Sequence, residues 1–271
     1  MKERTGIFVT GAGGRMGKSI IRMVLDDKET ILQGASERAD HAALGQDAGL
    51  NAGCVKAGVA IMTGLDGTLK AKRGVIVDFS SVEATLLHVK IAVERRVPLV
   101  IGTTGFNDGE IKKIFKAGDK IPLVFAPNMS IGMNLMFKIA ATTAQTLGDK
   151  YNIEILEAHH KNKTDAPSGT ARRLAQILCE ATGRKYPDDV KDYRSGMIGV
   201  RAKKEIGMQV LRGGDIVGEH TVYYCGEGER VEIRHMATSR DTFAGGAIRA
   251  AKWLYSKKTP GVYGMWDVLQ P

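Results

Sequence analysis

A strand, a glycine-rich turn and a helix follow one another at the start of this chain, and no other segment restricts the fold as much. Thr5-Gly-Ile-Phe-Val-Thr10 reads as a short buried strand. Gly11-Ala-Gly-Gly-Arg-Met-Gly17 follows, and then Ile20, Ile21, Val24 and Leu25 mark one apolar face of a helix. Glycine at such a turn lets the backbone approach a pyrophosphate, whose charge the helix N-terminus stabilises. The pattern is G-x-G-x-x-x-G, a departure from the strict dinucleotide fingerprint G-x-G-x-x-G, because Met16 precedes the third glycine. A second strand, Ile31 to Ala35, runs on to Glu37, twenty residues beyond Gly17, where a ribose-binding acid is expected. Arg38 beside it suits a ribose 2′-phosphate, so the pair permits both NADH and NADPH. Without a ligand, Glu37 and Arg38 would read as a surface ion pair.

The apolar runs that follow each end in small or polar residues. Gly74 to Phe79 ends at Ser80-Ser81, Val97 to Ile101 at Gly102-Thr103-Thr104-Gly105, and Ile121 to Phe125 at Ala126-Pro127-Asn128-Met129-Ser130. Helical stretches, Ala84 to Val93 and Asp108 to Phe115, lie between them. Strands alternating with helices predict a parallel sheet with right-handed crossovers, whose ligands bind outside the carboxyl ends of the strands. All the unusual loops of this half fall on that edge.

The second half changes character. Asn152 to Glu157 alternates like a strand, and Gly207 to Arg212, Gly218 to Tyr224 and Glu229 to His235 are further strands separated by glycine turns. Between the first two lies Glu157-Ala-His-His-Lys-Asn-Lys-Thr-Asp-Ala-Pro-Ser-Gly-Thr170. Its two imidazoles and two ammonium groups precede a helix read from Leu174, Ile177, Leu178 and Ala181. Ser168-Gly169-Thr170 opens that helix, and its N–H groups make a site for a carboxylate or phosphate. Proton donors beside an anion cradle suit a reaction on an acidic metabolite. A last helix, about Phe243 to Tyr255, is rich in small residues. The expected class is therefore α/β, a Rossmann-type parallel-sheet domain with a second α+β domain. The expected boundaries are 1–130, joined by a C-terminal return over 240–271, and 131–239.

Composition narrows the class. At 271 residues the chain can build two modest cores, and 43% hydrophobic with 25% charged residues is ordinary for a globular protein. No apolar stretch reaches bilayer length, and Met1-Lys-Glu-Arg runs straight into the first strand, so neither a membrane span nor a signal peptide is expected. Cys54, Cys179 and Cys225 show neither metal-ligand spacing nor a disulfide framework, which predicts a reduced, cytoplasmic protein without a metal. The net charge of +9 is carried by scattered basic pairs, and aromatics are only 6%, so a nucleic-acid partner is not expected. None of the seven tyrosines has a lysine four positions later, which removes the Tyr-x-x-x-Lys dehydrogenases. Adjacent histidines on a strand point to opposite faces, which disfavours zinc at His159 and His160. His41, His88, His220 and His235 are read as structural or surface residues.

Taken together, the motifs resemble the 4-hydroxy-tetrahydrodipicolinate reductase (dihydrodipicolinate reductase) family of the diaminopimelate route to lysine. The resemblance runs over nearly the whole length, on Gly11–Gly17, Gly102–Gly105, Ala126–Ser130, Glu157–His160 with Lys163–Ala171, and Gly214–His220. It implies an NAD(P)H-dependent oxidoreductase acting on a small dicarboxylate, assembled as a homotetramer. It implies His159 as acid/base, Lys163 as proton donor, and His160, Gly169 and Thr170 on the substrate carboxylates. It places Gly11, Ala12, Gly13, Gly14, Arg15, Met16, Glu37, Arg38, Gly102, Thr103, Thr104, Ala126, Pro127, Asn128 and Met129 on NADPH or NADH. Ser80-Ser81-Val82 stands where some relatives have a basic residue, and Met129 where some have an aromatic; both leave the cofactor preference open. The alternative is a catalytically silent dinucleotide sensor, against which His159 and Lys163 both argue.

Overall fold

Residues 3–69 and 73–270 are described in the computed structural model. From the N-terminus, β1 (Thr5–Thr10), α1 (Arg15–Asp26), β2 (Thr30–Glu37), α2 (Ala48–Asn51), β3 (Ile61–Thr63), β4 (Val75–Asp78), α3 (Val82–Arg95), β5 (Leu99–Ile101), α4 (Asp108–Gly118) and β6 (Pro122–Phe125) alternate strand with helix. Next come α5 (Ile131–Leu147), β7 (Asn152–His159), α6 (Gly169–Thr182), β8 (Val190–Lys191), β9 (Ile206–Arg212), β10 (Gly218–Cys225) and β11 (Arg230–Ala237). The chain ends with α7 (Asp241–Ser256), β12 (Gly261–Tyr263) and α8 (Met265–Leu269). It divides into two units, one running up to Ile131 and resuming from Arg240 onward, the other Gly132–Ser239.

In the first unit the strands form one parallel sheet in the order β12-β6-β5-β4-β1-β2-β3. The period-two alternation of strands sorts their side chains into two cores. Ile7, Val9, Val75, Val77, Val100 and Val124 join the core covered by α1 and α7. Phe8, Ile76, Leu99, Ile101 and Leu123 join the one covered by α3 and α4. Each such side chain, fully buried, contributes about 1.5–3 kcal/mol, so both faces of the sheet are fixed by its sequence. The chain leaves β1 toward β2 and β3 on one side, then returns to build β4, β5 and β6 on the other. The crevice between β1 and β4 is thus the topological switch point.

The second unit has a mixed sheet in the order β11-β10-β7-β9-β8, antiparallel except for β7–β9 and β8–β9. Helices α5 and α6 pack on it through Met133, Met136, Phe137, Leu174 and Leu178 against Ile153, Ile155, Met208, Val222 and Tyr224. The buried Tyr224 hydroxyl donates to the Ala140 carbonyl at 2.7 Å. Along β7, Ile153 and Ile155 face this core, and alternation carries Glu157 and His159 onto the same face. Glu154 points the other way and is held by Arg194 and Arg201 at 2.6 and 3.0 Å.

Candidate active site

The loops at the carboxyl ends of β1, β2, β4, β5 and β6 lie on one edge of the first sheet. After β1 the chain turns at Gly11, whose φ of +63° favours glycine. A Cβ on Gly17 would lie 2.1 Å from the Gly11 carbonyl oxygen, so the turn and α1 need a glycine there. The N-cap of α1 is Gly14, without a side-chain cap, and its first turn carries no acid. The N–H groups there remain directed outward, which suits a pyrophosphate. Glu37, at the end of β2, accepts from Gly13 N–H at 2.9 Å and from Arg38 N–H at 3.1 Å. The surface ion pair that was the alternative to a ligand-binding role for Glu37 and Arg38 does not form: the Arg38 guanidinium lies 3.1 Å from Asp40, and main-chain donors satisfy Glu37. The Gly-rich turn, the uncapped helix and the acid beside them fit a dinucleotide.

Beneath the neighbouring loops lies a network that the sequence did not reveal. Asp78, the last residue of β4, is fully buried. It meets His88 Nδ1 of α3 at 2.6 Å and accepts from Ser80 N–H and Oγ at 2.9 and 2.6 Å. Thr85 and Thr103 hydroxyls reach the same carboxylate at 3.2 and 3.3 Å. Burial opposes its charge, but His88 and Ser80 outweigh burial and hold the carboxyl below its ordinary range. Thr103 is thereby tied to Ser80, and Gly102 N–H bonds the Asp78 carbonyl at 2.9 Å. The ends of β4 and β5 are locked together. After β6, Asn128 accepts from Ser130 N–H at 2.9 Å, and Met129 is buried.

In the second unit a carboxylate in a core-facing position organises the cluster. Glu157 is fully buried, and its carboxylate is surrounded by donors. His159 Nδ1 approaches one oxygen at 2.5 Å, Arg212 donates to both oxygens at 2.9 Å, and Ser168 N–H donates at 2.9 Å. Burial raises its pKa, but His159, Arg212 and Ser168 overcome that and bring it to about 2. The carboxylate is therefore ionised, and it fixes the proton of His159 on Nδ1. Nε2 of His159 is then the basic nitrogen of the ring. Arg212 also bonds the Asp165 carbonyl at 2.7 Å, pinning the loop that carries Lys163. Lys163 Nζ lies 2.8 Å from the half-exposed Asp165.

Ser168 caps α6 by accepting from Ala171 N–H, and the first turn of the helix carries no acid. Its Oγ also lies 3.3 Å from Nε2 of His220, on β10. Burial, followed by the charge of His159, pushes His220 down to about 3, so it stays neutral beside the cluster. Thus His159, Lys163, Gly169 and Thr170 are gathered around the Glu157 scaffold and the α6 N-terminus, with His160 next in the chain. Arg212 was missed because it joins only through the β7–β9 pairing, where it stands opposite His159. Glu157 could have been found from its spacing two residues before His159 on a strand.

The comparisons with known proteins agree over nearly the whole chain. The family model described as dihydrodipicolinate reductase, N-terminus, matches residues 5–129, and its C-terminus counterpart matches residues 132–269. A 4-hydroxy-tetrahydrodipicolinate reductase from Syntrophus aciditrophicus is 51% identical over 97% of this chain and 97% of its own. One from Anaeromyxobacter dehalogenans is 50% identical over 98% and 97%. A dipicolinate-bound dihydrodipicolinate reductase from Paenisporosarcina sp. TG-14 superposes with a TM-score of 0.72 over 98% of this chain and all of that one. At 24% identity this is a likeness of fold.

Proposed function

The chain belongs to the dihydrodipicolinate reductase family, and from that premise we propose that it carries out the NAD(P)H-dependent reduction of 4-hydroxy-tetrahydrodipicolinate to tetrahydrodipicolinate in the diaminopimelate route to lysine. The observation that carries this reading is the charged cluster at the end of β7. It joins an oriented imidazole, an ammonium group and a helix N-terminus, the three elements that reduction of a dicarboxylate requires.

Loss of the 4-hydroxyl as water leaves a ring double bond conjugated with the imine, and the dinucleotide, when bound, would supply a hydride to ring carbon 4 of that dehydrated ring. Gly11 to Met16, Glu37, Arg38, Gly102 to Thr104 and Ala126 to Met129 would hold it. His160 and the Gly169–Thr170 end of α6 bind the carboxylates, which orients the ring before transfer. The negative charge that builds up next to the reduced carbon is quenched by a proton from Lys163, a donor carried on the loop that leads into the carboxylate-binding helix. His159 presents Nε2 as acid/base, since its Nδ1 proton is committed to Glu157.

We also place the protein in the cytoplasm as a homotetramer. The free thiols Cys54, Cys179 and Cys225 support a reducing compartment. Tyr193, Met197, Ile198 and Val200 expose large apolar side chains, Met197 and Val200 almost completely, and an assembly would cover them. The test of the activity is a coupled assay with the synthase product, run in parallel with NADH and NADPH. Pyridine-2,6-dicarboxylate should compete with the substrate, and pyridine-2-carboxylate should bind clearly worse. Equal binding of the two would remove the dicarboxylate assignment.

A further inference from the structure

We infer that His41 reads the 2′ position of the adenine-side ribose, its Nε2–H acting with Glu37 to decide between a hydroxyl and a phosphate there. The inference rests on the dinucleotide site proposed above and adds a residue that the sequence motifs leave out.

The geometry begins at the end of β2. The Glu37 carboxylate is nearly buried, at 9% side-chain exposure, and is fixed by main-chain donors on both oxygens. The His41 ring lies against the glycine turn, so close that a Cβ on Gly13 would fall 2.2 Å from its Cε1. Its Nδ1 accepts the Ala43 N–H at 3.1 Å. The neutral ring therefore carries its proton on Nε2. That Nε2 stands 4.0 Å from Glu37 Oε1.

A ribose hydroxyl that donates to Oε1 thus comes within reach of Nε2–H, and one oxygen can satisfy both groups. Arg38, the residue expected to meet a 2′-phosphate, is instead turned toward Asp40, and both of those side chains are about three-quarters exposed. His41 is consequently the donor already in place beside Glu37. With a 2′-hydroxyl, Glu37 accepts and His41 donates. With a 2′-phosphate, the Glu37 carboxylate repels, and His41 supplies a charge-assisted bond that offsets the repulsion. Loss of His41 should therefore harm the phosphorylated cofactor more.

The test is calorimetric titration of the full chain with NADH and NADPH, repeated with 5′-ADP and 2′,5′-ADP, which lack the nicotinamide. His41→Leu should weaken NADPH and 2′,5′-ADP about tenfold, and NADH and 5′-ADP less than about threefold. His41→Gln, which keeps a side-chain donor, should recover much of the loss. A support role for His41 through Ala43 would lower Tm and weaken both cofactors equally, which would overturn the inference. So would a phosphate-selective loss in Arg38→Ala with none in His41→Leu. Glu37→Ala separates the two levels. If it leaves NADH binding untouched, the dinucleotide site itself is misplaced. If it abolishes binding while His41→Leu has no selective effect, only the role of His41 fails.

Discussion

Around the glycine turn of the first unit, the groups offered to a pyrophosphate belong to the main chain. Gly14 leaves α1 uncapped, Gly17 lets helix and turn touch, and Asp78 with His88 ties two strand ends from below without reaching the surface. Around the end of β7 in the second unit, the working groups are side chains, held by other charged side chains through the buried Glu157. The contrast follows from the tasks proposed for the two regions. Binding a pyrophosphate needs many weak donors in fixed places, which a backbone supplies at no cost in side-chain entropy. Moving a proton needs one group of defined tautomer, which only a partnered side chain supplies.

The largest expected effect would break this contrast if it failed. Lys163→Ala or His159→Gln should lower kcat by roughly 10²–10⁴ while cofactor affinity, measured by fluorescence titration, hardly moves. A near-native kcat in both would mean that the second cluster is not catalytic.

A smaller effect concerns the scaffold of that cluster. The Glu157 carboxyl titrates near 2 in the fold and at its ordinary 4.5 once unfolded. Its stabilisation is therefore present above pH 4.5 and is lost as pH falls toward 2. It is worth on the order of 3 kcal/mol at neutral pH. Glu157→Gln should lower Tm at pH 7 and much less at pH 3. It should also reduce kcat, because His159 loses the group that fixes its tautomer. An equal Tm loss at both pH values would show that shape, not charge, is what Glu157 contributes.

The smallest effects come from two glycines and sharpen the comparison. Gly17→Ala places a methyl 2.1 Å from the Gly11 oxygen, so it should cost about 1–3 kcal/mol in thermal unfolding and weaken NADH. Gly169→Ala meets nothing within 4 Å, so Tm should hold or rise slightly, while pyridine-2,6-dicarboxylate binding falls. A stability loss in Gly169→Ala would contradict the open space at the start of α6.

Much of this was legible in the chain itself. Short apolar runs ending in small or polar residues placed β1, β2, β4, β5 and β6, and a parallel sheet puts all their carboxyl ends on one edge, so the loops were collected without knowing any contact. That Ser168-Gly169-Thr170 opens α6 followed from residue type and the helical spacing behind it, and the structure makes Ser168 its N-cap. No helix is predicted from the sequence over 131–147, yet α5 lies there. Ile131, Leu135 and Ile139 are apolar on its exposed side as well, which blurs the 3.6-residue period. The two-residue β8 and the three-residue β3 and β12 are too short to show any period.

What the sequence determined by itself was local: the glycine turn, the acid at the end of β2, and the order of histidines, lysine and helix cap after β7. These depend on spacing along the chain, which backbone periodicity converts directly into direction. The tertiary structure alone decided the partners. Arg212 reaches Glu157 because β9 pairs with β7 in one register, His88 reaches Asp78 because α3 packs back on β4, and Asp40 takes Arg38 from Glu37. A buried charge must find its counter-charge wherever the fold brings one near, and nothing in the spacing of residues fixes which one that is.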